Sequence, residues 1–112
     1  MEDIQIAPAP FHNIAIAGLG LIGSSIAGAI RKAYPDVRIF GVDTDSRSGV
    51  VAQERGWVDD ACTPQDEAFV RFLSDEADLL IISTPVAAVD DYFGLVQQSG
   101  FGGVVTDTIS TK

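Results

Sequence analysis

Apolar residues in this chain come in short, nearly continuous runs, separated by stretches with helical spacing. Ile14, Ala15, Ile16 and Ala17 form one run, and Leu79, Leu80, Ile81 and Ile82 form the most apolar one. Neither alternates with polar residues, so both read as strands covered on two faces, as in a parallel sheet. Residues 37–42 are rich in β-formers and predict another strand. Residues 60–63 predict a short edge strand, and residues 104–106 a last one ending at Asp107. Between them, Ile22, Ile26, Ala29, Ile30 and Ala33 recur at helical intervals. That helix should stop near Tyr34, because Pro35 disfavours helical geometry in the residue before it. Asp45 or Ser46 is placed to cap a helix to about Arg55, with Gly56 as its stop. Residues 64–74 predict a helix with Phe69, Phe72 and Leu73 on one face. Residues 86–98 predict another, with Val86, Val89, Phe93 and Val96 at helical intervals and Gly100, Gly102 and Gly103 beyond it. Residues 1–11 contain Pro8 and Pro10 and read as an extended lead-in.

Regular alternation of strand and helix predicts an α/β fold. Right-handed crossovers favour a doubly wound parallel sheet of five strands in the order 3-2-1-4-5, with helices on both faces and residues 12–112 as one domain.

The first strand runs into Gly18-Leu19-Gly20-Leu21-Ile22-Gly23, which opens the first helix. Gly18 suits a tight turn out of the strand. Gly20 lets a pyrophosphate approach the backbone, and Gly23 lets the helix pack closely on the sheet. Leu21 and Ile22 lie at the helix N-terminus, whose N–H groups and partial positive charge suit phosphates. Asp43 ends the second strand, twenty positions after Gly23. That is the offset of a carboxylate that accepts hydrogen bonds from a ribose. Together these features predict a dinucleotide site, a Rossmann fold and a preference for NAD over NADP, whose 2′-phosphate Asp43 would repel. Arg47 is near enough to soften that preference. Ser83, Thr84 and Pro85 follow the most buried strand and should line the nicotinamide half of the crevice. They also suit an ordinary turn, with Thr84 as a cap and Pro85 in the first helical turn. Residues 107–112 leave the last strand at the same edge. They either bring Ser110 and Lys112 towards a substrate or trail as a tail.

The composition narrows the partners. Among 112 residues, 16 are acidic and 7 basic, a net charge of -9. Such a chain lacks the basic face that nucleic acid or an anionic membrane requires. An anion site made of backbone N–H groups remains compatible with it. Hydrophobic residues make up 46% of the chain, enough to bury a core. The single cysteine, Cys62, cannot form an internal disulfide and reads as a small core hydrophobe in a reducing compartment. No apolar run is long enough for a membrane helix, and Glu2 and Asp3 do not suit a secretory signal, so the expected location is the cytoplasm. The acidic pairs Asp59-Asp60, Asp66-Glu67, Asp75-Glu76 and Asp90-Asp91 read as solvated surface, and no metal site is expected. His12, the only histidine, precedes the first strand and falls at the edge opposite to the ligand crevice.

Several segments resemble the prephenate dehydrogenases. Gly18 to Ser25, with Leu-Ile-Gly followed by small residues, is similar to their opening loop. Gly41-Val42-Asp43, Gly56-Trp57-Val58-Asp59-Asp60-Ala61 and Ala77-Asp78-Leu79 through Pro85 follow in the family's order. Val105-Thr106-Asp107 through Ser110 and Lys112 is similar to the family's Thr-Asp-Val-Gly-Ser-x-Lys segment, with Ile109 where the family has glycine. The resemblance covers roughly residues 12–112. It implies the nucleotide-binding domain of an enzyme that oxidatively decarboxylates prephenate, or the close variant arogenate, in tyrosine biosynthesis. It also implies that Ser110 contacts substrate. A catalytic histidine, substrate-binding arginines and most of a homodimer interface would lie in a helical domain absent from this chain, so the chain alone is expected to be inactive. Two other readings fit the glycine loop: a β-hydroxyacid or imine reductase, and a non-catalytic NAD-binding module that senses redox state.

Overall fold

The computed structural model describes residues 10–108. Five strands, β1 (Asn13–Ala17), β2 (Arg38–Val42), β3 (Asp60–Cys62), β4 (Leu79–Ile82) and β5 (Val104–Asp107), form one sheet in the order β3-β2-β1-β4-β5. Every neighbouring pair is parallel. Helices α1 (Leu21–Ala33), α2 (Ser46–Glu54), α3 (Glu67–Asp75) and α4 (Val89–Ser99) connect them. The expected fold class and strand order are therefore what the chain adopts.

The continuous apolar runs have a direct structural cause. Successive strand residues point to opposite faces, and both faces are covered. Ile14, Ile16, Ile39 and Ile81 pack with Leu19, Ala27, Ala52 and Val58 on the α1/α2 side. Ala15, Ala17, Phe40, Val42, Leu80 and Ile82 pack with Phe69, Phe72, Leu73 and Tyr92 on the α3/α4 side. There, Phe40 stacks on Phe72 with ring centroids 4.7 Å apart.

Three helices differ from the sequence expectation. On α1 the buried residues are Gly23 and Ala27, with Ile26 and Ile30 half-buried beside them. Small residues thus occupy the contact with the sheet, and Ala29 and Ala33 face solvent. α3 starts at Glu67 rather than Pro64, because the Asp66 carboxylate caps it by accepting the Ala68 N–H at 2.9 Å. Residues Val86–Ala88 form a 3₁₀ turn, and only then does α4 begin. Val89 and Val96 pack against the core as the spacing predicts, while Val86 is left exposed in the turn. Between them Tyr92 is 3% exposed, whereas Phe93, expected on this face, is 43% exposed.

Two aspartates tie backbone ends at the edge of the sheet away from the glycine loop. The Asp78 carboxylate accepts the N–H groups of His12 and Asn13, at 2.8 and 3.0 Å. Asp59 accepts the Ile39 N–H at 2.8 Å and pairs with Arg31 at 2.7 Å. Partial burial pushes the Asp59 carboxyl up, but the Ile39 N–H and the Arg31 guanidinium outweigh it, so its pKa is lowered from 3.8. A lowered folded pKa gives stability that is full above the ordinary value and is lost as pH falls through the folded value. Asp59→Ala should therefore destabilise the chain by about 1 kcal/mol at pH 7, a small figure because the carboxylate is half-exposed and screened. Urea titrations should show that the gap to wild type closes as pH drops below 3.8.

Candidate functional site

The glycine loop leaves the carboxyl end of β1 beside the end of β2, and the strand order reverses between β1 and its other neighbour, β4. Gly18 has φ +98°, a left-handed conformation that side chains rarely adopt. Its N–H donates to the Val42 carbonyl at 2.7 Å, so the turn leaves β1 directly beside the end of β2. Gly23 sits in α1 against the Gly18 carbonyl, where a Cβ atom would come within 1.8 Å of the oxygen. These two glycines are required by the chain's own packing.

Gly20 differs from both. Its φ of -72° suits any residue, and a Cβ there would meet nothing within 4 Å. Nothing in the protein itself calls for glycine at this position. Gly20 is also the N-cap of α1 and supplies no side-chain acceptor, and no acidic residue lies in the first turn. The start of α1 is thus left open to an external anion, which is what a pyrophosphate would use. Leu21 stands at the mouth of this space, 87% exposed, with Ile22 beside it.

Asp43 is joined to the loop. One carboxylate oxygen accepts the Leu19 N–H at 2.7 Å and the other accepts the Asp45 N–H at 2.8 Å. The carboxylate is therefore held in place by backbone groups, with lone pairs left for further donors. Leu19 was not singled out by its sequence pattern. Its side chain also packs against Gly41, where a Cβ would meet Leu19 Cδ1 at 2.7 Å. The middle residue of the turn thus anchors it to β2 from both ends.

Ser83 and Thr84 meet the loop from the other side. Ser83 donates its N–H to the Ala17 carbonyl at 2.7 Å. A Cβ on Gly18 would strike the Ser83 carbonyl oxygen at 2.5 Å. The Thr108 hydroxyl donates to Ser83 Oγ at 3.1 Å, linking the ends of β4 and β5. Thr84 is 8% exposed, and its Oγ1 has no hydrogen-bond partner among the described residues. It does not cap the next turn, whose N-cap is Pro85. A buried hydroxyl without a partner is costly unless a ligand or water meets it. Ser110 and Lys112 lie outside the described residues.

A groove of 810 Å³ between α3 and α4 opens near Asp43, lined in part by Thr44, Pro64, Ala88, Tyr92 and Leu95. Burial, with help from the Asp43 charge, pushes the Tyr92 phenol up to about 12. The Cys62 thiol is raised to about 11 by burial and by Asp66, so it is protonated and unreactive at neutral pH. Among the described residues no group of three or more His, Cys, Asp or Glu could hold a metal ion. No helix among them is long and apolar enough to cross a membrane.

Sheet order, reversal point and glycine turn define a Rossmann-like nucleotide-binding fold. Comparison with known proteins takes this further. The chain is similar to the nucleotide-binding N-terminal part of prephenate dehydrogenases. It is 36% identical over 105 residues to the prephenate dehydrogenase of Bacillus subtilis, covering 89% of this chain and 26% of that one. Identity to the Lactococcus lactis prephenate dehydrogenase is also 36%, over 102 residues, with 89% of this chain and 27% of the relative covered. The chain thus spans about a quarter of the length of these relatives. Among solved structures, the Aquifex aeolicus prephenate dehydrogenase in complex with hydroxyphenyl propionate and NAD+ superposes with a TM-score of 0.74. That match has 26% identity and covers 86% of this chain and 32% of the other. No protein-family model matches the chain.

Proposed function

We propose that this chain is the NAD-binding domain of a prephenate or arogenate dehydrogenase. The reading is carried by the 2.7 Å hydrogen bond from the Leu19 N–H to Asp43, which makes the phosphate turn and the ribose carboxylate one rigid unit. Gly18, Gly20, Leu21, Ile22 and Gly23 would hold the pyrophosphate at the start of α1. Asp43 would accept the ribose hydroxyls and repel the 2′-phosphate of NADP. Ser83, Thr84 and Pro85 would line the nicotinamide half, with the Thr84 hydroxyl finding its partner there. Nicotinamide supplies a hydride acceptor when bound. The residues of this chain would hold it in register with a substrate, which is the positional part of catalysis.

Residues 12–112 form the dinucleotide-binding domain of this proposal, with residues 1–11 as a lead-in and Ser110 as a substrate contact. In this reading the histidine base, the substrate-binding arginines and the homodimer interface come from a helical domain, as the family resemblance implies. The substrate is prephenate or arogenate, and the compartment is the cytoplasm.

NAD titrated into the chain should raise its Tm. At a hundredfold excess over Kd the stabilisation is about 2.7 kcal/mol, worth several degrees in a domain of this size. Asp43→Ala should weaken the affinity. Because Asp43 also holds the loop, its effect is read from a binding isotherm rather than from Tm alone. The absence of any shift at millimolar NAD would remove the cofactor reading.

A further inference from the structure

Asp45 and Arg47 form a unit beside Asp43 that the ribose contact itself does not use. Asp45 is the N-cap of α2 and accepts the Arg47 N–H at 3.0 Å. Its two carboxylate oxygens also face the Arg47 guanidinium, Oδ1 to Nε at 3.2 Å and Oδ2 to Nη2 at 3.3 Å. Its own N–H donates to Asp43 Oδ1 at 2.8 Å. The Asp45 backbone is thus tied to the Asp43 carboxylate just beyond β2, and the nearest cation in sequence is folded back onto the Asp45 carboxylate.

We propose that Asp45 is a second determinant of cofactor choice, acting by holding Arg47 on its own carboxylate and so withholding that cation from a ribose 2′-phosphate. The inference rests on the reading of Asp43 as the ribose-binding carboxylate and adds a positioning residue to it. NAD requires nothing of Arg47. NADP brings two further negative charges to this end of the site. To neutralise them Arg47 must leave Asp45, and both guanidinium contacts to the Asp45 carboxylate are then lost. The pair is open to solvent, with the Arg47 side chain 89% exposed, so its hold is modest and can be lost to a stronger anion. The hydrogen bond between them lowers the Asp45 carboxyl and raises the Arg47 guanidinium from their ordinary values, which is the direction a mutual preference gives.

The test is a double-mutant cycle on the 112-residue chain, with Kd for NAD and for NADP measured by calorimetry in wild type, Asp45→Asn, Arg47→Ala and the double variant. Asparagine caps helices as well as aspartate, so α2 is preserved, and circular dichroism confirms it. Asp45→Asn should tighten NADP binding about three- to fivefold while NAD stays within about 1.5-fold, as expected for an exposed ion pair. In the Arg47→Ala background most of that gain should vanish. Equal shifts for both cofactors, or a gain that persists undiminished without Arg47, overturns the proposal. Wild-type chain that binds NAD yet ignores residue 45 sinks this inference alone. Wild-type chain that binds neither cofactor sinks the cofactor reading and this inference with it.

Discussion

Gly23→Ala should remove a large part of the stability of the chain, whereas the same change at Gly94 should raise it. The Cβ at position 23 would lie 1.8 Å from the Gly18 carbonyl oxygen and 2.9 Å from its carbon. Both are backbone atoms of a turn that is itself fixed: Gly18 donates to Val42, and its own Cβ position is closed by Ser83. No side-chain rotation can relieve the clash, so either α1 lifts from the sheet or the turn unwinds. Overpacking of this kind costs about 3–5 kcal/mol. A domain of this size has roughly 5–15 kcal/mol in total. Urea denaturation should therefore show a midpoint shifted strongly down, or a chain already partly unfolded in buffer. Gly94 lies in α4 on an exposed face, and a Cβ there meets nothing within 4 Å. Alanine at that position should gain about 1 kcal/mol from helix propensity. A Gly23→Ala chain as stable as wild type would mean that α1 does not sit on the turn as described.

The contrast bears on what the sequence can reveal. The sheet was legible because each central strand is covered on two faces, and the resulting apolar runs at Ile14–Ala17 and Leu79–Ile82 leave a plain mark. The position of Asp43, just past the end of β2, was legible because its distance from Gly23 is set by one strand–turn–helix–strand unit of nearly constant length. Long-range contacts between side chain and backbone leave no such mark. Asp78 holds His12 and Asn13 across some 65 positions, and Asp59 holds Ile39 across 20. Asp59 reads in the sequence as solvated acidic surface, and Asp78 only as part of a segment shared with the family. Periodicity held only in part at α4, where Val89 and Val96 pack on the core but Tyr92, not Phe93, lies buried between them and Val86 falls in a 3₁₀ turn. Nor could the pattern show that the cation near Asp43 is already engaged. Arg47 is close in sequence, but its guanidinium belongs to Asp45.

Gly20→Val should abolish NAD binding and leave the fold nearly untouched, the reverse of what Gly23→Ala does. The two glycines belong to one motif, yet the packing around them separates their roles. At position 20 a side chain meets open space and the backbone is already extended, with φ -72° and ψ -159°. Valine there strains nothing in the protein. It costs at most about 1 kcal/mol as a poorer N-cap than glycine. Its two methyl groups would occupy the space in front of the α1 N-terminus, where the pyrophosphate must come within hydrogen-bond distance of the backbone N–H groups. Keeping the phosphates even 1–2 Å away removes most of that interaction, so Kd should rise by about a hundredfold or more, equivalent to roughly 2.7 kcal/mol. Parallel measurements on one preparation decide the matter: an unfolding curve without ligand and an NAD titration by calorimetry. An unchanged titration would show that the open space at Gly20 is not where the cofactor phosphates bind. A collapse in stability would show instead that glycine is required there for the fold.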